Sequence, residues 1–108
     1  MSQFAEVSLP CRAGGFSTIS LNMAVIRTGG DNDRYGIRMK RIGPGGAEVI
    51  LPGTPEFVML GVENTVNWTW IDMSIPADGT YVYRLQVRRI DGGGIFREMN
   101  LIGQHHKV

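Results

Sequence analysis

Residues 79–89 read Gly-Thr-Tyr-Val-Tyr-Arg-Leu-Gln-Val-Arg-Arg, with a large apolar side chain at every second position from Tyr81 to Val87. Tyr81, Tyr83, Leu85 and Val87 fall on one side of an extended chain, and Arg84, Gln86 and Arg88 on the other. A strand repeats every two residues and a helix every 3.6, so this stretch predicts a strand with one buried and one solvated face. The same alternation recurs upstream. Ile19, Leu21, Met23 and Val25 oppose Ser20, Asn22 and Ala24; Tyr35, Ile37 and Met39 oppose Arg38 and Lys40. Val66, Trp68 and Trp70 oppose Asn67, Thr69 and Ile71 in a segment rich in strand formers. Shorter strands are expected at 48–51 and near 57–60, with a last one over about 95–102. No ten-residue window carries a convincing amphipathic helix.

Turn chemistry separates these runs. The fifteen glycines are about twice average usage, and they cluster where the alternation stops. Gly29-Gly30-Asp31-Asn32-Asp33, Gly43-Pro44-Gly45-Gly46, Pro52-Gly53, Asp78-Gly79 and Asp91-Gly92-Gly93-Gly94 all suit turns. The result is seven or eight short strands in one domain of 108 residues, arranged as a sandwich or barrel, with residues 103–108 expected as a short polar tail. A core fits in a chain of this length, but a large internal pocket does not.

Composition argues against several function classes. A formal net charge of +1 gives no electrostatic case for nucleic acid, and no run reaches the apolar length of a membrane span. Cys11 is the one cysteine, so no intrachain disulfide forms; the first residues lack a leader pattern, and synthesis in a cytoplasm is expected. His105-His106 has no ligand set beside it and reads as part of a solvated tail. Asp31 and Asp33 suit a turn better than a calcium loop. No nucleophile sits in a recognisable elbow, and Cys11 is expected as a small buried hydrophobe. Neither an enzyme nor a cofactor is expected. Asn67-Trp68-Thr69 matches a glycosylation sequon by chance. Arg84, Arg88 and Arg89, with Arg38 and Lys40, form a basic patch if their strands are neighbours, either a solvated face or a surface for an acidic partner. Trp68 and Trp70 share a face and serve as core or interface anchors.

The run Trp70-Ile71-Asp72, a Pro-containing loop, then Gly79 through Arg88 resembles the later strands of small virion proteins of tailed bacteriophages. The glycine turn after Asp91 and the closing pair Leu101-Ile102 continue the likeness. It covers about a third of the chain. The resemblance implies an antiparallel jelly-roll-like β-sandwich, similar in build to tumour necrosis factor-like trimers. In that setting Asp72 accepts backbone hydrogen bonds in the turn, and Gly79 permits an entry conformation that a side chain would obstruct. Tyr81 and Tyr83 fill a sandwich core or a threefold axis.

Members of this group decorate capsids or tip fibres. Lacking a coiled-coil or collagen-like shaft, the chain fits the first role: a non-enzymatic cement subunit on the virion surface, binding the major capsid protein and itself as a homotrimer. Trp68, Trp70, Tyr81, Tyr83, Arg84 and Arg88 are the expected interface residues. The alternative is a fibre tip binding a receptor or host glycan, with an exposed tryptophan over a shallow polar groove. A more distant reading, a cupin-type enzyme, needs metal ligands on strands.

Overall fold

The computed structural model describes residues 5–27, 34–58, 63–73, 75–91 and 94–107. They form eight strands: β1 (Glu6–Cys11), β2 (Phe16–Arg27), β3 (Arg34–Ile42), β4 (Glu48–Ile50), β5 (Glu56–Val58), β6 (Glu63–Asp72), β7 (Gly79–Asp91) and β8 (Gly94–His106). The turn expected at 29–33, with its two aspartates, lies outside the described residues. So do Gly92 and Gly93, and residues 59–60 of the expected short strand.

The strands make an antiparallel β-sandwich. One sheet has the order β1-β7-β3-β4, with β5 also pairing β3; the other has the order β6-β2-β8. Pairing is nested: β1 with β7, β2 with β6 and β3 with β5. The chain therefore folds back on itself as a long hairpin whose successive rungs alternate between sheets, the wind of a jelly-roll-like fold. β8 then adds to the free side of β2.

Period-two alternation determines which side chains meet between the sheets. Ile19, Leu21, Met23 and Val25 of β2 face Tyr35, Ile37 and Met39 of β3 and Tyr81, Tyr83 and Leu85 of β7 in one buried cluster. Each such burial contributes about 1.5–3 kcal/mol. Trp70 is the largest member of the cluster and donates its indole N–H to the Gly53 carbonyl at 2.7 Å, so its polar end is satisfied inside. Cys11 is buried here as a small hydrophobe.

Residues 103–106 are not a polar tail. Gly103, Gln104, His105 and His106 complete β8, opposite Ile19, Thr18, Ser17 and Phe16. Gly103 is what lets β1 close over this end, because a Cβ there would sit 2.9 Å from Leu9 Cδ1. The His106 ring stacks on Phe16 with centroids 4.5 Å apart. Upstream, β8 carries a bulge: Asn100 opposes Asn22, but Arg97 opposes Ala24, so β8 holds one residue more than β2 across that step. Glu98 takes up the extra length with φ 54°, unusual for a residue with a side chain.

Gly79 behaves as the sequence suggests. Its φ is 153°, and a Cβ there would run into the Pro44 ring of the β3–β4 turn. Gly45 has open space around its Cβ position. Gly79→Ala is expected to cost about 1–3 kcal/mol, while Gly45→Ala stays within about 0.5 kcal/mol. Urea unfolding of both variants checks this, and equal midpoints would remove the argument.

Candidate functional site

Polar side chains collect in two kinds of place, one sealed between the sheets and the others on the two outer faces. Inside, Arg41 Nη1 donates to both carboxylate oxygens of Asp72, at 2.9 and 3.1 Å. Tyr83 Oη donates to Asp72 Oδ2 at 2.8 Å. Ser17 is hydrogen-bonded to Tyr83, and its Oγ lies 2.9 Å from His105 Nδ1. His105 Nε2 accepts the Arg12 backbone N–H at 3.0 Å. Since Nε2 is an acceptor, the proton of the neutral ring sits on Nδ1 and donates to Ser17. The donors then run one way: His105 to Ser17, Ser17 to Tyr83, Tyr83 to Asp72, with Arg41 closing the far end. Arg41 also lies over the Tyr81 ring, 5.6 Å from its centroid.

This arrangement is unsuited to nucleophilic catalysis, although a serine touches a histidine. Ser17 is fully buried. His105 donates to it, so no imidazole lone pair is aimed at the hydroxyl proton. Cys11 Sγ sits 3.5 Å from Ser17 Oγ, also in the interior. No group of three or more His, Cys, Asp or Glu side chains is placed to hold a metal among the described residues. Asp72, expected to accept backbone hydrogen bonds in the turn, accepts from the side chains of Arg41 and Tyr83. Burial pushes the Tyr83 phenol well above its usual range; the Ser17 bond offsets this in part, while Asp72 adds to the rise. Burial alone pushes Tyr35 up to about 12.

The two outer faces contrast. On the larger sheet, β3 and β7 are neighbours, and Lys40 lies directly opposite Arg84. Each has its own carboxylate from an edge strand: Arg84 pairs with Glu6 of β1 at 3.0 Å and Lys40 with Glu48 of β4 at 3.2 Å. Arg88 and Arg34 share Glu56 of β5, both at 3.3 Å, and Arg38 donates to Gln86 at 2.6 Å. Arg89 does not join this face. It shares the parity of Val87 and lies over the Phe96 ring at 5.0 Å. The expected basic patch is thus a ladder of mixed charge.

On the smaller sheet, three successive cross-strand rows contain no charge. They are Ile71–Thr18–Gln104, Thr69–Ser20–Ile102 and Asn67–Asn22–Asn100. Asn22 Nδ2 donates to Asn67 Oδ1 at 3.0 Å, and the Ser20 and Thr69 hydroxyls meet at 3.1 Å. A groove of about 580 Å³ lies across the latter two rows. Ile71 and Ile102 are exposed beside it, Ile102 by 71%.

Of the six residues expected at an interface, Trp70, Tyr81 and Tyr83 lie in the core of a single chain. The structure therefore settles the open choice for the two tyrosines on the core of the sandwich. Arg84 and Arg88 stand on the charged face. Trp68 is 37% exposed and is among the residues lining the groove, with its ring beside Gly53 and Phe57. Sequence reading sets no expectation for Arg41, Ser17 or the Asn22–Asn67–Asn100 row, and His105, expected in a polar tail, belongs to β8. Parity was the available signal for the first two, since each continues the inward register of its strand. The row becomes visible only once strand order is known. No family model matches the chain, and no curated protein matches it.

Removing one partner of a buried charged pair strands the other. Asp72→Ala is expected to cost about 3–5 kcal/mol, whereas Arg41→Met with Asp72→Leu recovers most of the loss. A double-mutant cycle by chemical denaturation measures the coupling; a single-variant cost under about 1 kcal/mol would contradict it.

Alkaline pH probes the two raised tyrosines. Unfolded tyrosines ionise near 10.0, below both folded values, so the stability held by the protonated phenols is complete below that pH. It falls as pH rises through about 12 and beyond. Tyrosinate absorbance of Tyr35 and Tyr83 is expected to appear together with loss of the far-ultraviolet strand signal, not before it.

Proposed function

We propose that this chain is a non-enzymatic structural subunit of a tailed-bacteriophage virion that docks on the capsid surface as a decoration protein. One observation carries the docking mode: three successive charge-free rows on the outer face of the three-stranded sheet. Interface centres are depleted of charge and hold apolar groups among satisfied polar ones. The rows around Ser20 and Asn22 fit that description, with Ile71 and Ile102 as the apolar members. The opposite face, paired charge by charge, suits solvent. The virion setting is supported by the sequence resemblance over Trp70–Arg88, together with the sandwich fold. Such a subunit acts by adding buried contact area across capsomer joints, and many copies make weak individual contacts sufficient.

A fibre tip that binds a host glycan is the second reading, and the uncharged groove favours it. Trp68, an exposed tryptophan, is among the residues lining that groove, with its ring edge-on to Phe57. Glycan-array binding that disappears in Asn22→Ala would favour this reading over the first.

The direct test mixes purified protein with undecorated capsids of the phage that encodes it, followed by electron microscopy. Density on the shell is expected for the natural chain, with occupancy reduced at least about tenfold for Ile102→Asp. A bare shell, or full occupancy by the variant, would sink the proposal.

A further inference from the structure

Edge strands carry unpaired backbone donors and acceptors, and proteins usually blunt them with charge, proline, bulges or short length. Most edges here are treated in these ways. β1 carries Glu6 and Pro10. β4 and β5 are three residues each. β8 contains the bulge around Glu98 and is overlaid by Leu9 of β1 at Gly103. β6 differs from all of them.

β6 spans ten residues and, among the described residues, pairs only with β2. Among the described residues, no backbone hydrogen bond reaches Asn64–Ile71 from the outer side. These eight residues, Asn-Thr-Val-Asn-Trp-Thr-Trp-Ile, contain neither charge nor proline and are rich in β-branched and aromatic side chains. Near the middle of the strand sits Trp68, more than a third exposed, with its ring meeting Phe57 edge-on at 6.1 Å.

We propose that β6 is a homodimerisation edge, pairing antiparallel with β6 of a second copy about a twofold axis at Trp68. In that register Trp68 faces its own copy on the inner side, Val66 faces Trp70, and on the outer side Asn67 faces Thr69 and Thr65 faces Ile71. No like charges meet, and Glu63 lies beyond the last uncharged pair. Self-pairing suits this edge better than a charged partner strand because it offers no ion to pair. Two three-stranded sheets become one six-stranded sheet, and the charge-free rows of the two outer faces join into a single platform. The strand contact is about 27 Å long and smaller than a standard stable interface, so the dimer is concentration-dependent. This proposal is independent of the capsid reading: a bare shell would leave the dimer intact, and a monomer could still decorate.

Sedimentation velocity over about a hundredfold range of concentration tests it. A shift from 11.9 kDa toward about 24 kDa, twice one chain, is expected. Trp68→Lys and Trp68→Glu are each expected to remain monomeric, because like charges meet at the axis, and their equimolar mixture to recover the dimer. If either fails to fold, the exposed pair Asn67→Lys with Thr69→Lys gives the same reading, as these positions face each other. A species that stays monomeric throughout, a trimer, or a dimer indifferent to these charges would overturn the proposal.

Discussion

The Arg41–Asp72 pair joins the two sheets near one end of the sandwich, where β3 and β6 finish. Arg41 comes from β3 and Asp72 from β6, and hydrogen bonds extend from the pair through Tyr83 of β7 and Ser17 of β2 to His105 of β8. Five of the eight strands thus meet in one directional chain of donors. Apolar packing alone is tolerant of sliding, because one methyl group replaces another at small cost. A buried carboxylate accepting hydrogen bonds from both Arg41 and Tyr83 is not tolerant, since any displacement leaves a polar group desolvated and unmatched. A shift of β6 by one residue would turn Asp72 outward and bury a neighbour of the wrong kind. The pair is therefore a register device as much as a source of stability. It is consistent with a fold whose two sheets share no hydrogen-bonded strand.

The same network fixes the orientation of the polar groups it joins. Ser17 is fully buried and faces an imidazole N–H rather than a lone pair. The neutral His105 ring spends Nε2 on the Arg12 N–H and directs Nδ1–H to Ser17. The outer surface is built differently. There the two sheets differ in a way that their strands impose. Cations on the central strands β3 and β7 find carboxylates on the flanking strands β1, β4 and β5. β6, β2 and β8 bring Ser, Thr, Asn, Gln and Ile into register on the other side.

Much of this was legible in the sequence, and the parts that were not share a cause. Alternation placed Ile19, Leu21, Met23, Val25, Tyr35, Ile37, Met39, Tyr81, Tyr83 and Leu85 on inward faces, where they lie. Continuing the same count would have placed Arg41 and Asp72 inward too. A charged residue at an inward position looks like the end of a strand until its partner is known, and here the partner is 31 positions away. His105 was hidden for a different reason. Gly103 and the polar residues after it have tail-like composition, and the Glu98 bulge resets parity within β8, so Phe96 and Leu101 both turn inward despite their odd spacing. The close fit of Leu9 over Gly103 is a tertiary fact with no local signature.

Trp68 and Trp70 show how far pattern alone reaches. They occupy the same face of the same strand, two residues apart, and any periodicity argument treats them alike. What separates them is the loop after β4. Gly53 offers its carbonyl to Trp70 and, with φ 101° and no side chain, lets both indoles approach its backbone. Trp70 is thereby enclosed with its N–H satisfied, while Trp68, nearer the outer rim beside Phe57, remains partly in water. One tryptophan anchors the core and the other lies within the uncharged stretch Asn64–Ile71 of an edge strand. The difference between a structural and an interactive aromatic here comes from a glycine fifteen positions upstream of one and seventeen of the other, not from either residue's own strand.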